Sequence, residues 1–153
     1  ANNDDNSSSG GGSDNPGGGN DNPGGNNDDS DDEIMSNKLR ITIGSSSFDA
    51  TLEDNETVKA FKKLLPMTVN MPDLNRNEKY YYLSGSLPTA ASNPGTILTG
   101  DLMLYGSNCV VLFYESFSTS YSYTRLGRVN NSSGLASALG SGSVTVTFEL
   151  QKE

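Results

Sequence analysis

Beyond residue 36 the chain repeatedly sets an apolar side chain at every second position. In KLRITI, residues 38 to 43, Leu39, Ile41 and Ile43 alternate with Lys38, Arg40 and Thr42. Side chains two apart share a face only on a strand, so this spacing dictates sheet with one buried side. After a GSSS turn, Phe48, Ala50 and Leu52 alternate with Asp49, Thr51 and Glu53, and the two runs read as a hairpin. Strand material returns in MTVNM, EKYYYL, ILTGDLMLY, CVVLFYE and FSTSYSYTRLGRV. It closes with SVTVTFEL, where Val144, Val146, Phe148 and Leu150 share a face.

Two segments break this period. ETVKAFKKLL, residues 56 to 65, carries Val58, Phe61, Leu64 and Leu65 at helical spacing, with Asn55 or Asp54 as the cap and Pro66 as the stop. This predicts one helix of about ten residues. NNSSGLASALGSG predicts a shorter helix capped by Ser133 and ended by Gly140. About seven to nine short strands with two helices, in about 115 residues, point to a mainly β domain built as a closed or nearly closed barrel.

Residues 1 to 36 obey neither period. They are almost wholly Asn, Asp, Ser, Gly and Pro, with Ile34 and Met35 as the large apolar side chains, too few to offset the entropy of ordering. The expected organisation is a disordered acidic linker over 1–36 and one domain over 37–153. The linker holds nine of the nineteen acids and no base, so the net charge of −9 belongs to it and the domain is near neutral. DNPGG occurs at 14 to 18 and again at 21 to 25, alternating stiff and free joints. Within NNDDSDDE, taking Asp28, Ser30 and Asp32 as calcium ligands puts Glu33 where the turn glycine belongs, so a solvated acidic spacer is expected and no metal. Tracts of this kind resemble the segment that follows the lipidated cysteine of mature bacterial lipoproteins. The expectation is an extracytoplasmic protein, at the cell surface or in the periplasm, touching a membrane only through a lipid anchor upstream, with the tether of a multidomain intracellular protein as the alternative.

Several chemistries are poorly served. A near-neutral domain lacks the clustered bases that release counterions from nucleic acid. The chain has no His and one Cys, Cys109, which leaves zinc and blue-copper sites without ligands and a Ser nucleophile without its usual base. Cys109 precedes VVLFY and reads as a small buried hydrophobe. No cofactor is called for, and a monomer is expected.

One longer segment carries a resemblance. GDLMLYGSNCVVLFYESFSTSYSYTRLGRV, with Gly100, Asp101, Tyr105, Phe113, Tyr114, Gly127, Arg128 and Val129 at its marked positions, resembles the bacterial cyclophilin-like proteins. DNETVKAFKKLLPMTVNM followed by EKYYYL is similar to that family's helix, Leu-Pro break and aromatic strand, and the likeness spans about residues 38 to 150. It implies a cyclophilin-type β-barrel capped by helices, in a family found alone, as lipoproteins or beside flavodoxin-like domains. Prolyl isomerisation is the activity this fold suggests. True cyclophilins use a strand-borne Arg beside His, Gln, Phe and Trp; the matching strand here is Tyr80, Tyr81, Tyr82, Leu83 and Ser84, and the chain has no Trp.

Recognition is therefore expected ahead of catalysis: a non-catalytic binding module for a peptide, glycan or small molecule, with a divergent prolyl isomerase as the alternative. Tyr supplies aromatic area and adaptable hydrogen bonds at low entropic cost. Tyr82, Tyr121, Tyr123 and Arg125, with Tyr105 behind them, are the candidate ligand-binding residues, and no catalytic residue is assigned. Strict alternation through 121–128 would put Tyr121, Tyr123, Arg125 and Gly127 on one face, opposite Ser122, Thr124, Leu126 and Arg128.

Overall fold

A computed structural model describes residues 36–152. The expectations for the linker, its DNPGG repeat and its acidic run concern residues that, but for Ser36, lie outside the described ones. The strands are β1 (Lys38–Ile43), β2 (Ser46–Leu52), β3 (Met67–Met71), β4 (Asp73–Leu74), β5 (Glu78–Tyr82), β6 (Thr96–Ile97), β7 (Asp101–Tyr105), β8 (Cys109–Phe113), β9 (Phe117–Ser118), β10 (Thr124–Val129) and β11 (Val144–Leu150). Nine of them form one antiparallel sheet in the order β3-β11-β1-β2-β10-β7-β8-β5-β4, curled until β3 meets β5, a nearly closed barrel. β6 and β9 pair separately.

The hairpin forms as its alternation requires. Ile41 stands opposite Phe48 and, on the other side, Phe148, so three apolar side chains share one row of the inner face. Leu39, Ile41, Leu102, Leu104, Leu112, Val146 and Phe148 are fully buried there. Helix α1 (Glu56–Lys62) adds Phe61, whose ring meets Phe148 edge-on at 6.3 Å. Burying a side chain of that size contributes roughly 1.5–3 kcal/mol. Asn55 caps α1 by accepting the Val58 amide at 2.8 Å, and its own amide nitrogen donates to the Arg125 carbonyl at 3.1 Å, tying helix to barrel.

Three sequence expectations need correction. The segment 56–65 is seven helical residues, after which the amides of Lys63, Leu64 and Leu65 each bond the carbonyl three residues back, a tightened final turn. Helix α2 (Leu135–Leu139) has Gly134, not Ser133, at its N-cap, with no side-chain cap, although Gly140 does end it. ILTGDLMLY is two strands, because Gly100 turns the chain between β6 and β7 at φ +96°, a conformation that favours Gly.

Two devices join the barrel's seams. Gly127 lies so close to β2 that a Cβ would run into the Thr51 carbonyl oxygen and the Leu52 Cα. Near the β3/β5 closure, Lys79 is fully buried. Its ammonium donates to Asp73 Oδ1 at 3.1 Å, to the Gly140 carbonyl at 2.8 Å and to the Gly142 carbonyl, and lies 5.4 Å from the centre of the Tyr114 ring. A buried ammonium is tolerated only when its donors are met, and here all three are. Tyr114 donates its hydroxyl to Asp73 as well. Burial alone would raise the Asp73 carboxyl, but bonds from Tyr114 and Lys79 hold it below its ordinary range. The Tyr114 hydroxyl is pushed up to about 12, by burial first and then by that bond.

Candidate functional site on the outer wall

Strands β7 and β8 bury apolar side chains on both faces, with β5 and β10 beside them. Leu83, Val110, Leu112, Leu102, Leu104 and Leu126 point into the barrel, while Ile97, Met103, Cys109, Val111, Phe113 and Tyr123 form a second buried cluster on the outer side. Register sets this outer face out in rows. Tyr82 stands opposite Cys109, and Cys109 opposite Tyr105. One step along, Tyr80 faces Val111, Val111 faces Met103, and Met103 faces Arg125. Glu78 faces Phe113, and Asp101 faces Arg128. Residues paired across an antiparallel ladder share a side, so these side chains belong to one wall.

The rings on that wall form a ladder. Tyr121 meets Tyr105 at 6.0 Å, Tyr105 meets Tyr123 at 5.6 Å, Tyr123 meets Phe113 at 5.6 Å, and Phe113 meets Phe117 at 5.8 Å. Separations of this size with tilted or edge-on planes are the favourable geometry for aromatic pairs. The ladder runs from solvent to core: Tyr121 is 62% exposed and Tyr105 46%, whereas Tyr123 and Phe113 are buried. Tyr82 is 63% exposed and meets Tyr80 edge-on at 5.8 Å.

Of the five residues singled out from the sequence, Tyr105, Tyr121 and Tyr123 are in mutual or shared contact, and Tyr82 lies in the Tyr105 row across Cys109. Tyr123 is covered, so it supports the exposed rings. Burial raises its hydroxyl, although a bond with Thr119 works the other way. Arg125 is half-exposed, its Nη1 3.8 Å from Asp101 Oδ1.

The expected alternation through this segment fails at one point. β10 begins only at Thr124, and its register against β7 slips between Arg125 and Gly127, so Leu126 is an extra residue. The bulge keeps Leu126 inside and brings Arg128 to the same side as Arg125, and both address Asp101.

Two acids on this wall escaped the sequence reading of the site. Asp101 is fully buried, accepting the Leu98 amide at 2.9 Å on Oδ2 and Arg128 Nε at 2.8 Å on Oδ1. The marked Gly-Asp and Gly-Arg of the sequence are thus one ion pair joining β7 to β10. Glu78 is half-buried at the edge of the aromatic cluster, and its carboxyl is pushed up to about 7 by burial and by the charge of Asp73. Alternation in EKYYYL carries the signal, since it puts Glu78 with Tyr80 and Tyr82, and Lys79 with Tyr81 and Leu83. The Cys109 thiol, buried beneath this face, is raised chiefly by burial, which suits a hydrophobe better than a nucleophile. Among the described residues no group of three or more His, Cys, Asp or Glu is placed to hold a metal, and no helix is long and apolar enough to cross a membrane.

The sequence model of the Cyclophilin-like family matches residues 41–149. No curated protein matches the chain. Among solved structures, a hypothetical protein from Archaeoglobus fulgidus, determined in solution, has a similar fold at a TM-score of 0.53. It is 20% identical, and the alignment covers 77% of this chain and 97% of that one.

Proposed function

The chain belongs to the cyclophilin-like family, and we propose that this member is a non-catalytic binding module whose outer aromatic wall takes a peptide, glycan or small molecule. One observation carries the reading: Tyr82, Tyr105 and Tyr121 are each about half or more exposed on a wall whose other large apolar side chains are buried or partly buried. A single exposed aromatic residue needs no explanation. Three on one face, two of them in register across Cys109, make a platform. Tyr82 and Tyr105 lie two strand spacings apart, roughly 9–10 Å, room for one extended backbone or one sugar ring between them. The rings are held by the β-sheet and the ladder beneath, so little entropy is lost when a ligand settles on them.

The composition of residues 1–36 supports display beyond the cytoplasmic membrane, on a spacer below a lipid anchor. Prolyl isomerisation is the second reading, favoured by one observation: a strand-borne guanidinium, Arg125, stands in register with Met103 at the edge of the outer apolar cluster.

Ring resonances of Tyr82, Tyr105 and Tyr121, followed by NMR against sets of peptides, oligosaccharides and small aromatic compounds, test the binding reading. Binding is expected to move all three together, and Tyr105→Ala with Tyr121→Ala to abolish it. If no compound moves them, or if the double variant binds as well as the parent, the wall is not the site.

A further inference from the structure

Asp101, Arg125 and Arg128 carry more positive charge than the fold uses. Asp101 is fully buried, and a buried carboxylate demands a partner. Arg128 provides it: Nε binds Oδ1 at 2.8 Å while the Leu98 amide holds Oδ2. Those two contacts neutralise the carboxylate and engage both its oxygens. Arg125 is then surplus. At 3.8 Å it is an ion-pair neighbour and not a hydrogen-bond donor, yet the bulge at Leu126 turns it to the same side as Arg128. Among the described residues no other carboxylate pairs with either arginine, since the remaining ion pairs are Lys59 with Glu56 and Lys79 with Asp73. Both arginine side chains are part-exposed, at 38% and 49%. The net result is one uncompensated positive charge, and two planar donor groups gathered on one carboxylate oxygen.

Resting on the reading of the aromatic wall, we propose that Arg125 and Arg128 form an oxyanion subsite of the same surface, and that the ligand carries a carboxylate or phosphate group next to its apolar part. Guanidinium groups bind such oxyanions through paired N–H donors, and among the described residues neither the Nη atoms of Arg128 nor any side-chain nitrogen of Arg125 makes a hydrogen bond. The subsite adjoins the platform. Arg125 follows Tyr123 by two residues on the same side, roughly 7 Å along the strand. Asp101 and Arg128 lie one row further from Tyr105, so a ligand stacked on Tyr105 and Tyr121 has its anionic end beside the two arginines. Asp101, held from the core, fixes the donors in advance.

The test uses the full chain with inorganic phosphate and acetate as probes, following the side-chain N–H resonances of arginine by NMR at low ionic strength. Arg125 and Arg128 signals are expected to shift together and to saturate. Arg125→Gln, at a half-exposed position, should weaken the response at least about tenfold, Arg125→Lys should restore part of it, and Arg40→Gln should leave it unchanged. Saturation at lower acetate than phosphate would identify a carboxylate ligand, and the reverse a phosphate one; either supports the subsite. Linear, unsaturated shifts, or an Arg125→Gln response equal to the parent's, would overturn it. Tyrosine ring signals that answer to a neutral compound while neither anion saturates would overturn the subsite alone and leave the binding reading standing.

Discussion

Replacing Lys79 by Met keeps the length and apolar stem of the side chain and removes only the ammonium. That group donates to three oxygens, at 3.1 Å to Asp73, at 2.8 Å to Gly140 and to Gly142. The carboxylate loses least, because Tyr114 and the Arg76 amide still bind it and its side chain is 18% exposed. The two glycine carbonyls lose a charged donor, at about 1–1.5 kcal/mol each, and the weakened carboxylate adds about 1 kcal/mol. Relief from desolvating the ammonium offsets a part, leaving a net loss of about 3 kcal/mol, at the low end for breaking a buried pair. In a domain of about 115 residues this lowers Tm by about 12 °C. Urea unfolding followed by far-ultraviolet circular dichroism measures the free energy directly, with an unchanged slope showing that the same surface is exposed. Asp73→Asn in the Lys79→Met background should cost less than Asp73→Asn alone, the difference being about 1 kcal/mol. A loss below about 1 kcal/mol for Lys79→Met, or strict additivity, would refute the argument that this ammonium fastens the barrel's closure.

Other perturbations follow from the same geometry. Glu78 has its carboxyl at about 7 in the folded chain against an ordinary 4.5, so the folded state holds the proton more tightly and stability falls as pH rises between those values. Glu78→Gln should therefore stabilise above pH 7 and make no difference below about 4. The gain is on the order of 1 kcal/mol, since solvent screens a half-buried group, and denaturation midpoints across that range measure it. Gly127→Ala forces a Cβ into the β2 backbone and should cost about 3 kcal/mol by separating β10 from β2, read as a lower unfolding midpoint. Asn55→Ala removes both the α1 cap and the brace to the Arg125 carbonyl, a loss of about 1–2 kcal/mol in the same assay. Under the binding reading, a proline-limited refolding assay shows no acceleration by the chain; acceleration abolished by Arg125→Ala would favour the isomerase instead.

What was legible in the sequence depended on how many sides of a segment are covered. β1, β2 and β11 present one face to the core and one to water, so alternation alone identified Leu39, Ile41, Ala50, Val146 and Phe148 as interior. β8 is covered on both sides, and CVVLF carries no alternation from which an outer cluster could be inferred. The aromatic candidates were visible as an excess of Tyr, but their assembly rests on registers among β5, β8, β7 and β10, pairings between segments far apart in the chain. The bulge was hidden for a different reason: one extra residue in TRLGRV leaves no compositional mark, yet it decides that Arg125 and Arg128 share a side. The burial of Lys79, and of Asp101 although its position was marked, went unread because a charged residue in a strand is ordinarily taken as solvent-facing, and only a three-dimensional partner makes burial tolerable.

The two-sided burial of β8 has a consequence for how the chain reaches its folded state. Synthesis delivers CVVLF, an uncharged β-prone run without Pro, before Phe117, Tyr123 and the rest of β10 exist to cover its outer side. Until they arrive the segment is a template for pairing between chains, shielded at best on one surface. Substitutions that loosen β9 or β10 should then appear first as protein lost to the insoluble fraction, in molecules whose finished fold melts almost normally. For this barrel the cost of a weakened aromatic wall would be paid in yield before it is seen in stability.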